Sequence, residues 1–293
     1  MTAAALDPTM LRATGAAAER FFFEPINPRG AAVFRIALAM MLPYAFRSIG
    51  LAAFPPAVWL PHAGWWYQHL FLTHTYASMV MVIAALFGFG IYPRVTGFVL
   101  FAMLLPLASL SRGRQSRQVW LFTLFAFSLV RSDADWSLAT LLKRRAPRGD
   151  AGPMWPIRLI QFQLCLVYAV NAIAKCTPHY LSGDTLVAMS RMRSNFLINM
   201  SDGYAHFGPI AMPVALAAVA SVITESYLAI GFWFRRLRWI TAAIGVAFHI
   251  MLQSVVQIFM LDITSMFLYS AFLLPWSIKP VAAPDNNRSI ARS

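Results

Sequence analysis

Charge is scarce in this chain. Only 12% of its 293 residues are charged, against about 25% in an average soluble protein, and Asp and Glu together number 11. A water-soluble domain of this length could not cover its apolar surface with so few charges. Cysteine occurs twice, as Cys165 and Cys176, which excludes a disulfide framework. No Cys/His cluster has zinc spacing, and no metal is predicted. The glycine-rich phosphate loops, the nucleophile elbow and the HExxH helix of soluble enzymes are all missing. The first 25 residues hold Asp7, Arg12, Glu19 and Arg20 and no continuous apolar run, so no cleaved signal peptide is expected.

What is abundant is apolar. Hydrophobic residues make up 59% of the chain and the mean hydropathy is +0.61. Apolar segments fall at roughly 31–50, 73–92, 95–111, 117–131, 157–175, 209–233, 239–258 and 260–276. A span needs about 20 apolar residues, so the third and fourth are short. The pattern predicts an all-α, polytopic integral membrane bundle with about eight transmembrane helices. Its partner is the lipid bilayer, which accepts apolar side chains on the outside of a fold. Three parts are expected: an N-terminal cytoplasmic or interfacial segment (1–30), a transmembrane domain (31–278) and a cytoplasmic tail (279–293).

The formal net charge is +13. No nucleic-acid recognition motif accompanies it, so no nucleic acid is expected. The basic residues instead sit mostly between apolar blocks, where they act as topology signals and headgroup contacts. With the N-terminus inside, sixteen of the 24 Lys and Arg lie on the inner side and seven on the outer, with Arg35 in the first segment. The positive-inside rule therefore puts both termini in the cytoplasm.

Ionisable and polar groups inside spans are expensive and are functional candidates by default. The fifth segment ends at Lys175, with Asn171 one turn earlier on the same helical side. A desolvated amine there is a candidate base or nucleophile; a snorkelling lysine that reaches the headgroups is the plainer reading. Glu225 interrupts the sixth segment and must be protonated, paired or hydrated. His249, Gln253 and Gln257 are spaced by four and form one polar stripe. The stripe suits either a pocket or a set of interhelical hydrogen bonds worth about 0.6 kcal/mol each. Arg112, Arg114, Arg117 and Gln118 sit at the outer entrance to the fourth segment, against the positive-inside trend, and suit an anionic ligand, an acidic peptide or a solvated turn. His179 lies in an outer loop, 176–208, that is expected to carry a short helix.

Several stretches in order resemble the horizontally transferred transmembrane (HTTM) family, which includes the membrane domain of vitamin K-dependent γ-carboxylase. They are FFFEPINPRGAAVFRIAL, the turn RSDADWSLATLL around Trp136, CLVYAVNAIAKCTPHYLSG and AFHIMLQSVVQIFM. The resemblance runs over about 20–280. It implies a reduced quinone of the vitamin K or menaquinol type as cofactor, with Lys175 as the base that deprotonates it before oxygen adds and an epoxide forms. It implies a catalytic place for His249 and a supporting place for Glu225, with Gln118 at the position of an assisting histidine; from the residues themselves Asn171 and Gln253 are further supporting candidates, and Arg114, Arg117 and His179, with Trp136 of the family-like turn, are candidate ligand contacts. It also implies a multi-pass protein of a bacterial inner membrane.

Two departures weigh against glutamate carboxylation itself. Gln118 stands where the carboxylase has an assisting histidine, and glutamine cannot shuttle a proton at neutral pH. The chain also ends at 293, without the carboxylase's large luminal domain. The alternatives to a quinol-dependent enzyme are a non-catalytic accessory in the maturation or export of a secreted peptide, binding that peptide or a partner protein on the outer side, and a proton-coupled transporter using Glu225 and His249.

Overall fold

The computed structural model describes residues 8–46, 74–109, 115–192, 211–255, 259–274 and 276. Among them every element is helical: α1 Pro8–Phe23, α2 Pro28–Phe46, α3 His74–Gly88, α4 Pro93–Ser109, α5 Gln115–Ser128, α6 Leu138–Leu141, α7 Trp155–Lys175, α8 Pro178–Leu181, α9 Asp184–Met192, α10 Ala211–Gly231, α11 Arg238–Val255 and α12 Phe259–Leu273. Each of the eight apolar segments read from the sequence holds one helix, with ends shifted by a few residues. Proline opens α1, α2, α4 and α8 and follows the first residue of α7. There its missing N–H costs nothing and its fixed φ is already helical. Pro213 likewise falls in the first turn of α10, whereas Pro43 and Pro106 lie late in α2 and α4, inside the helices.

The helices pack side by side, α7 against α10, α4 against α5 and α2 against α3. Two strands of irregular chain meet beneath them through an isolated bridge between Pro25 and Pro153, with Ile26 N–H donating to Gly152 O at 2.8 Å and Ala151 N–H to Ile26 O at 3.0 Å. Asn27 N–H donates to Trp276 O at the same end. That end carries the basic 129–153 loop. It also holds the start of α7 and the end of α12, so Lys175, 20 residues along α7, stands about 30 Å away at the far end.

Arg35 fixes the basic end. Its guanidinium is fully buried and donates to Gly88 O (3.1 Å), Ser132 O and Trp136 O (2.6 Å). Five N–H groups in a rigid fork suit this task; a lysine could not reach three carbonyls in one plane. Gly90, at φ 71°, lets the α3–α4 turn pass Arg35, because a Cβ there would sit 2.9 Å from the Arg35 Cζ.

The core is aromatic. Phe34 packs on Phe127 at 4.8 Å and on Phe267 at 5.0 Å, and Trp120 lies 4.9 Å from Phe267. Phe232 bridges Tyr269 and Phe272, each at 4.9 Å. The outward faces are apolar as well: Met40, Leu166, Ile173, Ile223 and Trp239 are exposed. Such faces suit lipid rather than water.

Two helices are long and apolar enough to cross a membrane by length and composition, Trp155–Lys175 and Pro213–Gly231. Tyr76–Gly88, Pro93–Pro106 and Ile263–Leu273 are apolar but shorter. The structure thus bears out the all-helical class and leaves many apolar side chains on the outside; of the eight expected crossings, two helices have the length and composition of a span and the others are shorter or less apolar. The expected interfacial segment contains a regular helix, α1, which packs on α7. The expected tail, 279–293, lies outside the described residues.

Candidate functional site

Residues seven apart on a helix lie two turns apart on nearly the same face. On α7 this rule aligns Gln161, Tyr168 and Lys175. Gln161 and Tyr168 are buried, and all three point into the bundle at successive depths. Gln161 Nε2 donates to Ala271 O at 2.5 Å and its Oε1 accepts from Arg158 at 2.8 Å, near the basic end. Two turns further, the Tyr168 hydroxyl bonds His249 Nε2 at 2.8 Å and the Tyr269 hydroxyl at 2.6 Å. Ser265 lies against the same hydroxyl. Gly245 permits this meeting, since any Cβ there would strike the Tyr269 hydroxyl.

Lys175 ends α7 and turns inward. Its Nζ donates to Glu225 Oε1 at 2.7 Å and Oε2 at 2.9 Å and reaches Ser221 Oγ at 3.4 Å. Ser221 stands one turn before Glu225 on α10, so one helical face presents both acceptors. The Glu225 side chain is 5% exposed and the Lys175 side chain 27%. The carboxylate is therefore enclosed while the amine opens on one side. The Tyr180 ring stands 5.6 Å from Nζ, and Tyr180 packs with Ala218, Val222, Leu181 and Leu186. Thus α8 and α9 fold back onto α10 beside the pair. Gly183, at φ 88°, allows that close approach, because a Cβ would meet Val214 at 2.8 Å. The ion pair and the tyrosine–histidine chain thus occupy successive levels of α7, one helical repeat of seven residues apart.

The family model of the HTTM domain matches residues 23–276. The chain belongs to the HTTM family. No curated protein and no solved structure matches it. The HTTM match spans all of the elements that build the cluster, from α2 to α12.

Within this HTTM domain the residues singled out by sequence part into groups. Lys175, Glu225 and His249 come together, although His249 reaches Tyr168 rather than the lysine. The lysine is paired to a carboxylate and does not simply snorkel. Asn171 is half-buried and makes no hydrogen bond among the described residues. Gln253 is half-buried and its Oε1 has no partner there. Gln118 is exposed on α5, facing away from the bundle, whereas its neighbour Arg117 is buried at the start of the same helix. His179 is exposed on α8, near the pair in sequence. Trp136 lies at the basic end, far from Lys175. Arg112, Arg114 and Gln257 lie outside the described residues. Tyr168, Tyr269, Gln161 and Ser221 escaped sequence reading. The seven-residue spacing of Gln161 and Tyr168 from Lys175 was the signal that could have found two of these positions.

Proposed function

We propose that this HTTM protein is a multi-pass protein of a bacterial inner membrane, crossing it about eight times with both termini cytoplasmic, and that its outward-facing Lys175–Glu225 site deprotonates a reduced quinone in an oxygen-dependent, carboxylase-like epoxidation. The single observation that carries the reading is the enclosed carboxylate accepting two hydrogen bonds, one at each oxygen, from a half-open amine. The residues present offer a quinol a cation and an acceptor for a phenolic hydroxyl, with the Tyr180 ring 5.6 Å from Nζ beside them. When bound, the quinol supplies the electrons for reaction with oxygen.

The chain's own part is proton management. A proton moves from Lys175 Nζ to the Glu225 carboxylate, 2.7 Å away, leaving a neutral amine. The amine then takes the proton of the bound hydroxyl at its open side. At the end Glu225 holds one added proton and Lys175 is again an ammonium, now facing the anionic oxygen. Charge is conserved, and the cation ends where negative charge develops, which is the electrostatic task of such a site. Ser221 holds the lysine in register, and the α8–α9 cap restricts water. Oxygen consumption with reduced menaquinone or vitamin K tests this. It is expected to be lost in Lys175→Ala at normal membrane insertion; equal rates in parent and variant would sink the reading.

A second reading, proton-coupled transport, draws on the buried His249–Tyr168–Tyr269 chain, a continuous run of exchangeable protons. It predicts proton flux in liposomes that Glu225→Gln abolishes, and equal flux in the two removes it.

A further inference from the structure

The basic end carries a patch that the outer site leaves unexplained. Helix α6 is one turn long and is bounded by two residues in the left-handed region, Trp136 at φ 47° and Lys143 at φ 55°. Non-glycine residues rarely adopt that conformation, and they persist there only where surrounding structure imposes it. At Trp136 the constraint is plain. Its carbonyl accepts from buried Arg35, its N–H donates to Asp135 Oδ1 at 2.8 Å, and Ser137 behind it forms a capping box with Thr140. The constraint turns the indole outward, where 46% of the residue is exposed. Leu141 and Leu142 at the end of α6 are exposed too.

Leu138 N–H donates to Phe89 O at 2.8 Å, which seats α6 directly on the α3–α4 turn. That turn exposes Phe89 and Tyr92, the latter at 79%. Five large apolar or aromatic side chains therefore crowd one edge of the bundle at the depth where two apolar helices end. Basic residues border them. Lys143 and Arg144 are exposed and form no ion pair among the described residues, whereas Arg145 next to them is held by Asp133 at 2.7 Å. Aromatic rings with leucines beside unpaired cations are the composition of a segment lying in a membrane interface over anionic lipid.

We propose that α6 and the α3–α4 turn form an interfacial foot that inserts Trp136, Leu141 and Leu142 among anionic phospholipid headgroups at the basic end, with Lys143 and Arg144 contacting the phosphates. The proposal rests on the membrane reading of the bundle and is independent of the quinol chemistry. The strained backbone is the cost of aiming the indole at lipid, and Arg35 is the buried brace that holds the foot at headgroup depth.

Spin labels on the full-length protein test it. Single cysteines replace Leu141, Leu166 and Ala146 on a Cys176→Ser background, in which Cys165 is buried. Labelled protein goes into vesicles with or without phosphatidylglycerol, and accessibility to oxygen and to an aqueous nickel complex is compared. Leu166, exposed midway along α7, reports whether the bundle spans the membrane; Ala146 is the water reference. With phosphatidylglycerol, the label at Leu141 is expected to be shielded from nickel while that at Ala146 is open. The shielding is expected to fall in phosphatidylcholine alone and in Lys143→Gln/Arg144→Gln, each charge removed lowering the inserted-to-withdrawn ratio of the foot by about fivefold. If Leu166 is shielded but Leu141 is as open as Ala146, the foot is wrong and the membrane reading stands; if Leu166 is open, the membrane reading itself fails. Shielding of Leu141 that ignores both lipid charge and the double substitution, or that needs a native protein partner, also overturns the proposal.

Discussion

Removing one partner of the Lys175–Glu225 pair should not cost the same from both sides. Lys175→Met strands a carboxylate whose side chain is 5% exposed, and breaking an enclosed pair from this side costs about 3–5 kcal/mol. Glu225→Gln strands a lysine whose side chain is 27% exposed. That chain can swing its ammonium toward water or headgroups, so the loss falls near that of an exposed pair, about 1 kcal/mol or less. With both substitutions no charge is left behind, and the double variant should recover much of the larger loss, giving a coupling of about 2–3 kcal/mol. Thermal unfolding of the purified protein in detergent reads this out at about 2 °C per kcal/mol for a chain of this size. Lys175→Met should therefore melt about 6–10 °C below the parent and Glu225→Gln within about 2 °C of it. Equal shifts in the two single variants, or a coupling below about 0.5 kcal/mol, would refute the enclosed pair and with it the proton exchange built on it.

Three further outcomes are expected. Gly245→Ala drives a methyl group into the Tyr269 hydroxyl; it should cost about 1–3 kcal/mol by overpacking, with partial rescue by Tyr269→Phe in the melting temperature. Arg35→Met leaves the carbonyls of Gly88, Ser132 and Trp136 without their donor, at about 1–3 kcal/mol for each left unsatisfied, and should expose the 143–148 stretch to trypsin in inside-out vesicles. Cys176 is exposed and Cys165 buried, so an impermeant maleimide added outside intact cells should label the first and spare the second; labelling only after the cells are opened would reverse the orientation.

The helices were legible because lipid-facing and core-facing residues are both apolar, so each element announces itself as one uninterrupted run. That same uniformity hid the packing. Without a polar face, nothing in the runs says which side turns inward, and Gln118 could be assigned to a pocket although it points away. Lys175 and Glu225 were each conspicuous as charges out of place, yet their pairing joins residues 50 positions apart and needed the fold. His249 stood out for the same reason; its partner Tyr168 did not, because a tyrosine in a membrane helix is ordinary. Arg35 was visible as a charge in the first segment, but its three acceptors are backbone carbonyls, which sequence does not mark. The left-handed Trp136 and Lys143 carry no composition cue at all.

The column on α7 makes that helix behave as a camshaft. Gln161, Tyr168 and Lys175 project from one rigid rod at three depths, on a radius of about 5 Å. A twist of the rod by about 20° would carry all three tips sideways by about 2 Å, enough to part the contacts to Ala271, His249 and Glu225 in a single movement. A deletion of one residue inside 161–175 would turn the lysine by about 100° relative to the glutamine and put the far end out of phase with the near one. The two ends of the bundle are in this sense geared to each other: what grips the helix near its first turn sets where the amine points at its last.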